Sequence, residues 1–315
     1  MQTDDYDFSD DIDDLDDDSS GFARIKPRAR DLPRRAVAEV AEPTGLENGF
    51  ATTYKPSRHE AGWLLDSLQS FYEQNLIQDV LYLVKGGKEA NVYCCLAGTS
   101  APDGAEFLAA KVYRPRAFRN LRNDHVYREG RAVLTSEGRA VKSSDGRIMR
   151  ALGKKTGFGA QVQHTSWLMH EYTTLERLHQ AGIAVPPPIA AGENAIVMGY
   201  IGSRTGAAPT LSEVGLRPDE ATGLFRNVVQ SMETMLREGV IHGDLSPYNL
   251  LYWEGRIHLI DFPQVTNPES NPNAHALFGR DVTRVYDYFI RQGASHSGNA
   301  DTLAEEIWQR CIAEG

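Results

Sequence analysis

The stretch His242-Gly-Asp-Leu-Ser-Pro-Tyr-Asn249, together with Leu259-Ile-Asp-Phe-Pro-Gln264, decides the fold of this chain of 315 residues. In the first stretch the carboxylate of Asp244 stands five positions before the carboxamide of Asn249, and the glycine and proline beside them predict a loop. In the second stretch Asp261 ends a short apolar run that predicts a β-strand. A D-x4-N pattern alone means little, but the order and spacing of both stretches indicate one shared site.

The segment between the two stretches predicts how they meet. A hairpin from Asn249 to Gln264, turning at Glu254-Gly255, brings the three polar groups to one place. Kinase-type phosphotransferases need such a set: one carboxylate near the acceptor hydroxyl, and an amide oxygen and a second carboxylate as Mg²⁺ ligands. The pattern therefore makes Asp244 a candidate catalytic residue and makes Asn249 and Asp261 candidate metal ligands.

A lysine and a glutamate upstream predict an ion pair. The run from Phe107 to Tyr113 predicts a strand with Lys111 inside it, and a buried lysine needs a partner. A helix predicted from Thr165 to Ala181 places Glu171 on its apolar side, where an unpaired carboxylate is costly. Lys111 and Glu171 are therefore predicted to pair, as do the strand lysine and the helix glutamate that hold the α and β phosphates of ATP in kinases.

Two further segments are candidates for binding the nucleotide. Gly86-Gly87-Lys88-Glu89 lies between two apolar runs, and a glycine turn between strands lets backbone N–H groups approach phosphates closely. It matches neither a P-loop nor the usual kinase glycine loop. Met198-Gly-Tyr200-Ile201 follows another apolar run and fits either an interlobe hinge that holds adenine or a plain strand that leads into a turn.

Together these motifs resemble the RIO family of atypical protein kinases. The resemblance extends from about Asp79 to Gln292 and follows the branch that carries Gly-Lys-Glu-Ala-x-Val-Tyr. It rests on these segments: Gly87-Lys-Glu-Ala-Asn-Val-Tyr93, Lys111-Val-Tyr113, Trp167, Met198-Gly-Tyr-Ile-Gly202, His242 to Asn249, and Ile260-Asp-Phe-Pro-Gln264. Two positions depart from the branch, because Pro247 stands where an acidic residue is frequent and Gly243 where alanine is frequent.

The resemblance implies a two-lobed α+β protein-kinase-like fold with a small β-rich N-lobe and a truncated helical C-lobe. It implies ATP and Mg²⁺ as cofactors, with the catalytic residues Asp244, Asp261, Lys111 and Glu171, and with Asn249 and Asp261 on the metal. The ATP-binding residues it implies are Gly87, Lys88, Glu89, Lys111, Met198, Tyr200 and Ile201. Asp261 is followed by only 54 residues, in which no Ala-Pro-Glu anchor occurs.

Three functions stay open at this point. The resemblance implies a serine/threonine protein kinase that phosphorylates itself or another protein. It equally admits an ATPase-gated binding module on small ribosomal subunit particles, which passes through an aspartyl-phosphate at Asp261. The third is a small-molecule phosphotransferase, suggested by His242-Gly243-Asp244.

Charge and composition predict the organisation of the chain. We expect a disordered tail over residues 1–50, a helical extension over 51–78, an N-lobe over 79–198 and a C-lobe over 199–315. The first twenty residues contain ten Asp and no Lys or Arg, which prevents a packed core there. Three cysteines without zinc spacing, and no apolar run of transmembrane length, favour a cytoplasmic protein.

A basic insert interrupts the predicted N-lobe at residues 114–164. From Arg114 to Thr165 the chain has twelve Lys or Arg against four Asp or Glu, with glycines between them. The resemblance implies a flexible loop here. Its charge fits a solvated loop, a phosphate-binding surface for RNA or a ribosomal particle, or a dock for the acidic tail.

Overall fold

The computed structural model describes residues 52–114, 131–142, 144–154 and 156–313. The predicted tail over residues 1–50, and residues 115–130 of the predicted insert, lie outside this part. The N-lobe contains five strands: β1 (Ile77–Gly86), β2 (Ala90–Ala97), β3 (Phe107–Tyr113), β4 (Pro188–Ala191) and β5 (Ala195–Gly199). They form one antiparallel sheet in the order β1-β2-β3-β5-β4, so β3 is the central strand.

Strand alternation decides which face of the sheet Lys111 occupies. On one face Leu108, Ala110 and Val112 pack in an apolar cluster with helix α1 (Arg58–Glu73), whose Leu64 and Leu68 are fully buried. Successive side chains of a strand point to opposite faces. Lys111 therefore points away from α1, towards the face that the next long helix covers.

That long helix, α3 (Gly157–Gln180), begins about two turns earlier than the sequence indicates. The predicted start at Thr165 is wrong: Thr156 caps the helix, and its hydroxyl accepts a hydrogen bond from the Gly159 N–H at 3.1 Å. Gly159, one of the glycines of the basic insert, allows close packing. A Cβ built on Gly159 would lie 2.2 Å from the Ala151 carbonyl oxygen, so only glycine fits.

The expectation of a flexible loop over the whole basic insert is therefore also wrong. Ala151 belongs to helix α2 (Gly146–Gly153), which packs against the first turn of α3. Helix α2 and about the first two turns of α3 fall inside residues 114–164. A short antiparallel bridge between Leu134 and Ala140 adds further regular structure to the described part of the insert.

The C-lobe is built from helices around a hairpin. Two short strands, β6 (Gly202–Ser203) and β7 (Gly206–Ala207), lead into helix α4 (Pro218–Arg237). The hairpin β8 (Leu250–Trp253) and β9 (Arg256–Leu259) turns at Glu254 and Gly255, as predicted, and both residues have the positive φ that this turn requires.

Two helices complete the C-lobe: α5 (Ala274–Arg291) and α6 (Ala300–Trp308). Helix α6 ends at Trp308, and the chain continues as a wider π-helical turn, Gln309–Ala313. Phe225 of α4 packs on Phe289 of α5 at the centre of the lobe's core. None of the described helices is both long and apolar enough to cross a membrane.

Candidate active site

Every residue that the sequence nominates for the site lines one cavity of about 940 Å³, bounded by the sheet and the C-lobe. They are Gly87, Lys88, Glu89, Lys111, Glu171, Met198, Tyr200, Ile201, Asp244, Asn249 and Asp261. Residues more than 170 positions apart in the chain thus meet in one place, and the individual chemical roles remain predictions.

Lys111 lies at the centre of this cavity. Its Nζ forms ion pairs with Glu171 Oε1 and with Asp261 Oδ1, and the residue is only 8% exposed. Burial disfavours the charged ammonium, but the two carboxylates outweigh burial and raise the pKa of Lys111 above its ordinary value. Lys111 is therefore held as a cation in the cavity.

Glu171 is held from three directions. It lies on α3, is 4% exposed, and receives the Tyr113 hydroxyl on Oε2 at 2.6 Å besides Lys111 on Oε1. The backbone N–H of Phe262 also donates to Oε1, at 3.4 Å. The predicted pairing of the strand lysine and the helix glutamate is confirmed, and through Phe262 it reaches the residue after Asp261.

Asp261 follows β9 in a backbone conformation that few residues adopt. Its φ is 71°, and the preceding N–H of Ile260 donates to the Asn249 carbonyl oxygen at 3.0 Å, which ties the two candidate metal ligands together. The Asp261 side chain keeps 45% of its surface exposed to the cavity. Burial opposes ionisation, but Lys111 outweighs burial and lowers the pKa of Asp261. The carboxylate is thus charged and accessible.

Asp244 and Asn249 lie on the loop that the sequence predicts. Asn249 closes a short 3₁₀ turn, Pro247–Asn249, and its Nδ2 donates to the Asp244 carbonyl oxygen at 2.8 Å. This bond orients the carboxamide, and its Oδ1 accepts no hydrogen bond in the described part of the chain. His242 makes a 3.1 Å contact from Nε2 to the Ile260 carbonyl oxygen, which links the loop to the residue before Asp261.

Sequence reasoning missed the residue that anchors this loop. Asp281 of α5 is 1% exposed and accepts the backbone N–H groups of Gly243 at 2.8 Å and of Leu245 at 3.0 Å. Burial raises the pKa of Asp281 to about 6, although these bonds and nearby His242 act in the opposite direction. A signal was present, because Asp281 interrupts the apolar face of α5 between Leu277 and Val285.

Sequence reasoning also missed two arginines that lie on the same helix, Arg280 and Arg284. Arg280 donates to the Gly243 carbonyl oxygen, and Arg284 Nη1 donates to Asp244 Oδ1 at 2.8 Å. Helix α5 therefore contacts the backbone of the loop and the candidate catalytic carboxylate. In the sequence both arginines stand between the apolar positions of the helix, where charged residues usually face solvent. No local pattern distinguishes them from solvated charges.

The glycine turn closes the cavity at the sheet. A Cβ on Gly87 would lie 2.6 Å from the Ala90 carbonyl oxygen, so the tight turn requires glycine. Asn91 steadies the turn: its Oδ1 accepts from the Gly87 N–H at 3.4 Å and from Arg114 Nη2 at 3.1 Å. Its Nδ2 donates at 3.2 Å to Glu60 of α1, a helix outside the predicted lobe.

The predicted hinge lies on the opposite wall. Met198 lies in β5 opposite Ala109 of the central strand, and Tyr200 directly follows the end of β5 at Gly199. The hydroxyls of Tyr200 and Tyr82 are hydrogen-bonded at 2.7 Å, which fixes the hinge against β1. The order of glycine turn, lysine strand, glutamate helix, hinge and paired loops defines a two-lobed phosphotransferase of the protein-kinase-like class.

Comparison with known proteins gives the family. A RIO domain model matches residues 111–302. The chain is 34% identical to the RIO-type serine/threonine-protein kinase Rio1 of Haloferax volcanii, over 71% of this chain and 67% of that protein. It is 27% identical to the serine/threonine-protein kinase RIO1 of Chaetomium thermophilum, over 94% of this chain and 55% of that protein. The human RIO1 kinase is 33% identical over 41% of this chain.

The chain belongs to the RIO family of serine/threonine protein kinases. The predicted family, the kinase-like α+β fold and the kinase class of enzyme are confirmed. ATP and a divalent metal follow as cofactors in general terms, with a protein, or the chain itself, as the acceptor. The Gly87–Tyr93 motif lies upstream of the matched region, so the assignment to a branch of the family stays a prediction.

Proposed function

We propose that the chain transfers the γ-phosphoryl group of Mg·ATP to serine or threonine, through the residues of the 940 Å³ cavity. The observation that carries the proposal is the three-way contact of Lys111 with Glu171 and Asp261 beside Asp244 and Asn249. This set supplies a cation for phosphates, oxygen ligands for a metal and a carboxylate for the acceptor.

The cavity fits the triphosphate by its charge and by its shape. Lys111 is the cation for the α and β phosphates, and Glu171 with Tyr113 fixes its position. The backbone of Gly87 to Ala90 approaches from the sheet, where a side chain on Gly87 would not fit. Met198, Tyr200 and Ile201 line the same cavity and are proposed to hold the adenine through their backbone groups.

Two protein ligands suffice for the proposed Mg²⁺. Magnesium usually keeps several waters and is bound by one or two carboxylates together with substrate phosphates. Asp261 offers an accessible charged oxygen, and Asn249 offers an Oδ1 without a hydrogen-bond partner in the described chain. When bound, the metal neutralises phosphate charge that Lys111 alone cannot balance.

Asp244 is proposed to position the acceptor hydroxyl and to take its proton. A catalytic base must lie within hydrogen-bond reach of that proton. The Asp244 side chain is 43% exposed and adjoins Asn249 in the cavity, so an incoming hydroxyl can reach it. The Asp281 anchor keeps the loop backbone in place while this happens.

Following the γ-³²P label from ATP tests the proposal. The label is assayed on an added protein, on the chain itself, on small molecules and as free phosphate, with and without Mg²⁺. We expect Mg²⁺-dependent label on seryl or threonyl residues, and its absence in Asp244→Asn. Label appearing only on a small molecule would overturn the proposal in favour of the small-molecule phosphotransferase.

A second function is supported by the accessibility of Asp261. A charged carboxylate that is half exposed in the cavity can itself attack the γ-phosphate, as an ATPase with an aspartyl-phosphate requires. An acyl phosphate is cleaved by hydroxylamine, whereas a phosphoserine is not. Hydroxylamine-labile label on the chain, lost in Asp261→Asn, together with unlabelled added protein, would favour the ATPase-gated module.

The described part of the insert supports an RNA partner, such as the RNA of a small ribosomal particle. Helix α2 carries Arg147 and Arg150, and Lys154 follows it, with Asp145 as the acidic residue at its start. The Arg147 guanidinium also lies 5.2 Å from the Phe158 ring, beside an exposed aromatic face. Phosphate binding of this kind weakens steeply with salt, so RNA affinity measured against salt concentration tests it.

A reducing, cytoplasmic setting is proposed from the cysteines. Cys94, Cys95 and Cys311 are all free and buried. Thiol titration of the unfolded chain after purification without reductant should find three free thiols. A disulfide recovered from freshly lysed cells would contradict this setting.

A further inference from the structure

A second cavity adjoins the nucleotide cavity and shares Asp244 and Asn249 with it. It has a volume of about 780 Å³, and α5 forms one wall with Arg284, Asp287 and Arg291. Lys111 and Asp261 do not line it. Asp244 borders both cavities. A nucleotide in the first cavity would therefore leave the second cavity open to an acceptor whose hydroxyl reaches Asp244.

Arg284 is placed to contact that acceptor. Its Nη1 donates to Asp244 Oδ1 at 2.8 Å, and its side chain is 39% exposed. A carboxylate accepts several hydrogen bonds through two oxygens, so this contact leaves Asp244 Oδ2 for the acceptor hydroxyl. Arg284 makes no other hydrogen bond within the described residues, so the rest of its guanidinium fork remains available.

The guanidinium favours one chemical class of partner. Arginine presents several donors in a planar fork that matches a carboxylate or a phosphate, and it can bridge two anions at once. Further along α5, Arg291 adds a second positive charge to the cavity, and Asp287 lies within about one turn of both arginines. Of these two arginines, Arg284 contacts Asp244, so we assign the anion next to the acceptor hydroxyl to Arg284.

We propose that Arg284 is a specificity-determining residue, which selects protein acceptors carrying an acidic side chain next to the phosphorylated serine or threonine. The proposal rests on the assignment of Asp244 as the residue that receives the acceptor hydroxyl. That hydroxyl lies about 3 Å from Asp244 when it is positioned for transfer. Arg284 donates to the same carboxylate at 2.8 Å. A second anion bound by its guanidinium would therefore come from an acceptor residue next to the phosphorylated one.

The chain's own sequence supplies a probe of this chemistry. Ser9 is followed directly by Asp10 and Asp11 in the segment of residues 4–14. A synthetic peptide of that sequence is the parent acceptor. Its match has Asp10 and Asp11 replaced by Asn, so it keeps five other Asp and lacks only the two carboxylates that directly follow Ser9. Both peptides are added in trans, so the result does not depend on where the tail lies in the protein.

The test compares kcat/KM for the two peptides in the full chain, Arg284→Gln, Arg284→Lys and Arg226→Gln. Arg226 is an exposed arginine of α4 that lines neither cavity, so it controls for the loss of one charge. We expect the full chain to prefer the parent peptide about fivefold, the upper end for a partly exposed ion pair. Arg284→Gln should abolish the preference, Arg284→Lys should keep part of it, and Arg226→Gln should keep all of it.

Ionic strength adds a second readout, because the preference should shrink as salt screens the pair. Equal kcat/KM for both peptides in the full chain, or a preference for the Asn-substituted peptide, would overturn the proposal. So would an equal loss for both peptides in Arg284→Gln, which indicates that Arg284 only positions Asp244. Absence of label on both peptides and on the chain itself, with intact Mg·ATP binding, would instead refute the proposed transfer to protein and with it this selectivity.

Discussion

Replacing Lys111 by Met should destabilise the protein more than replacing both Lys111 and Glu171. In Lys111→Met, Glu171 stays buried at 4% exposure with only the Tyr113 hydroxyl and the Phe262 N–H as partners. Removing one partner of a buried pair costs about 3–5 kcal/mol, and the two remaining donors favour the lower end. Adding Glu171→Gln removes the unpaired charge, so we expect a favourable coupling energy of about 1–3 kcal/mol.

Urea unfolding of the parent chain, both single variants and the double variant measures this coupling. The exposed pair Arg177 and Glu238 is a control, because it is also a cation–carboxylate pair but its side chains are 51% and 39% exposed, and its coupling should be much smaller. Turnover should follow the same logic: each single variant loses most activity, and the double variant is little worse. Additive losses in both stability and turnover would show that Lys111 and Glu171 do not act as one unit.

Four other substitutions, with Gly157→Ala as a control, test the remaining roles. Asp261→Asn should weaken Mg²⁺-dependent nucleotide binding, whereas Asp244→Asn should spare binding and abolish phosphoryl transfer. Calorimetric titration of each variant with Mg·ATP compares their affinities. Equal losses of affinity in both variants would refute the two roles. Asp281→Asn cannot accept both loop N–H groups, so we expect a loss of about 1–3 kcal/mol in urea unfolding. Because the pKa of Asp281 is raised from 3.8 to about 6, the parent chain carries a component of stability that declines as pH rises through that window, and the variant should lack it. Gly159→Ala should expose α2 to hydrogen exchange without changing Mg·ATP affinity, while Gly157→Ala, which meets no atom within 4 Å, should leave α2 protected.

Local patterns predicted most of the cavity because its residues break those patterns. Lys111 interrupts an apolar strand, and Glu171 interrupts an apolar helix face. Each of these charged residues therefore indicates that a buried partner is present. The start of α3 was not predicted because glycine occurs both in flexible loops and where another backbone approaches a helix closely. At Gly159 it allows the Ala151 backbone to approach, which depends on a tertiary contact that no local pattern contains. Arg284 was missed for a similar reason, since its partner Asp244 lies 40 residues away and both side chains are partly exposed.

Helix α5 holds the loop that carries Asp244. Only residues 262–273 separate Asp261 from the start of α5, so the helix follows the metal-binding candidate almost directly. Asp281 and Arg284 are three residues apart and share one helix face, where the first holds the loop backbone and the second contacts Asp244. A rigid helix that fixes both parts of a loop preorganises the site better than a separate flexible segment. The same face then presents Arg284 to the second cavity, so the anchoring of Asp244 and the choice of acceptor depend on one element.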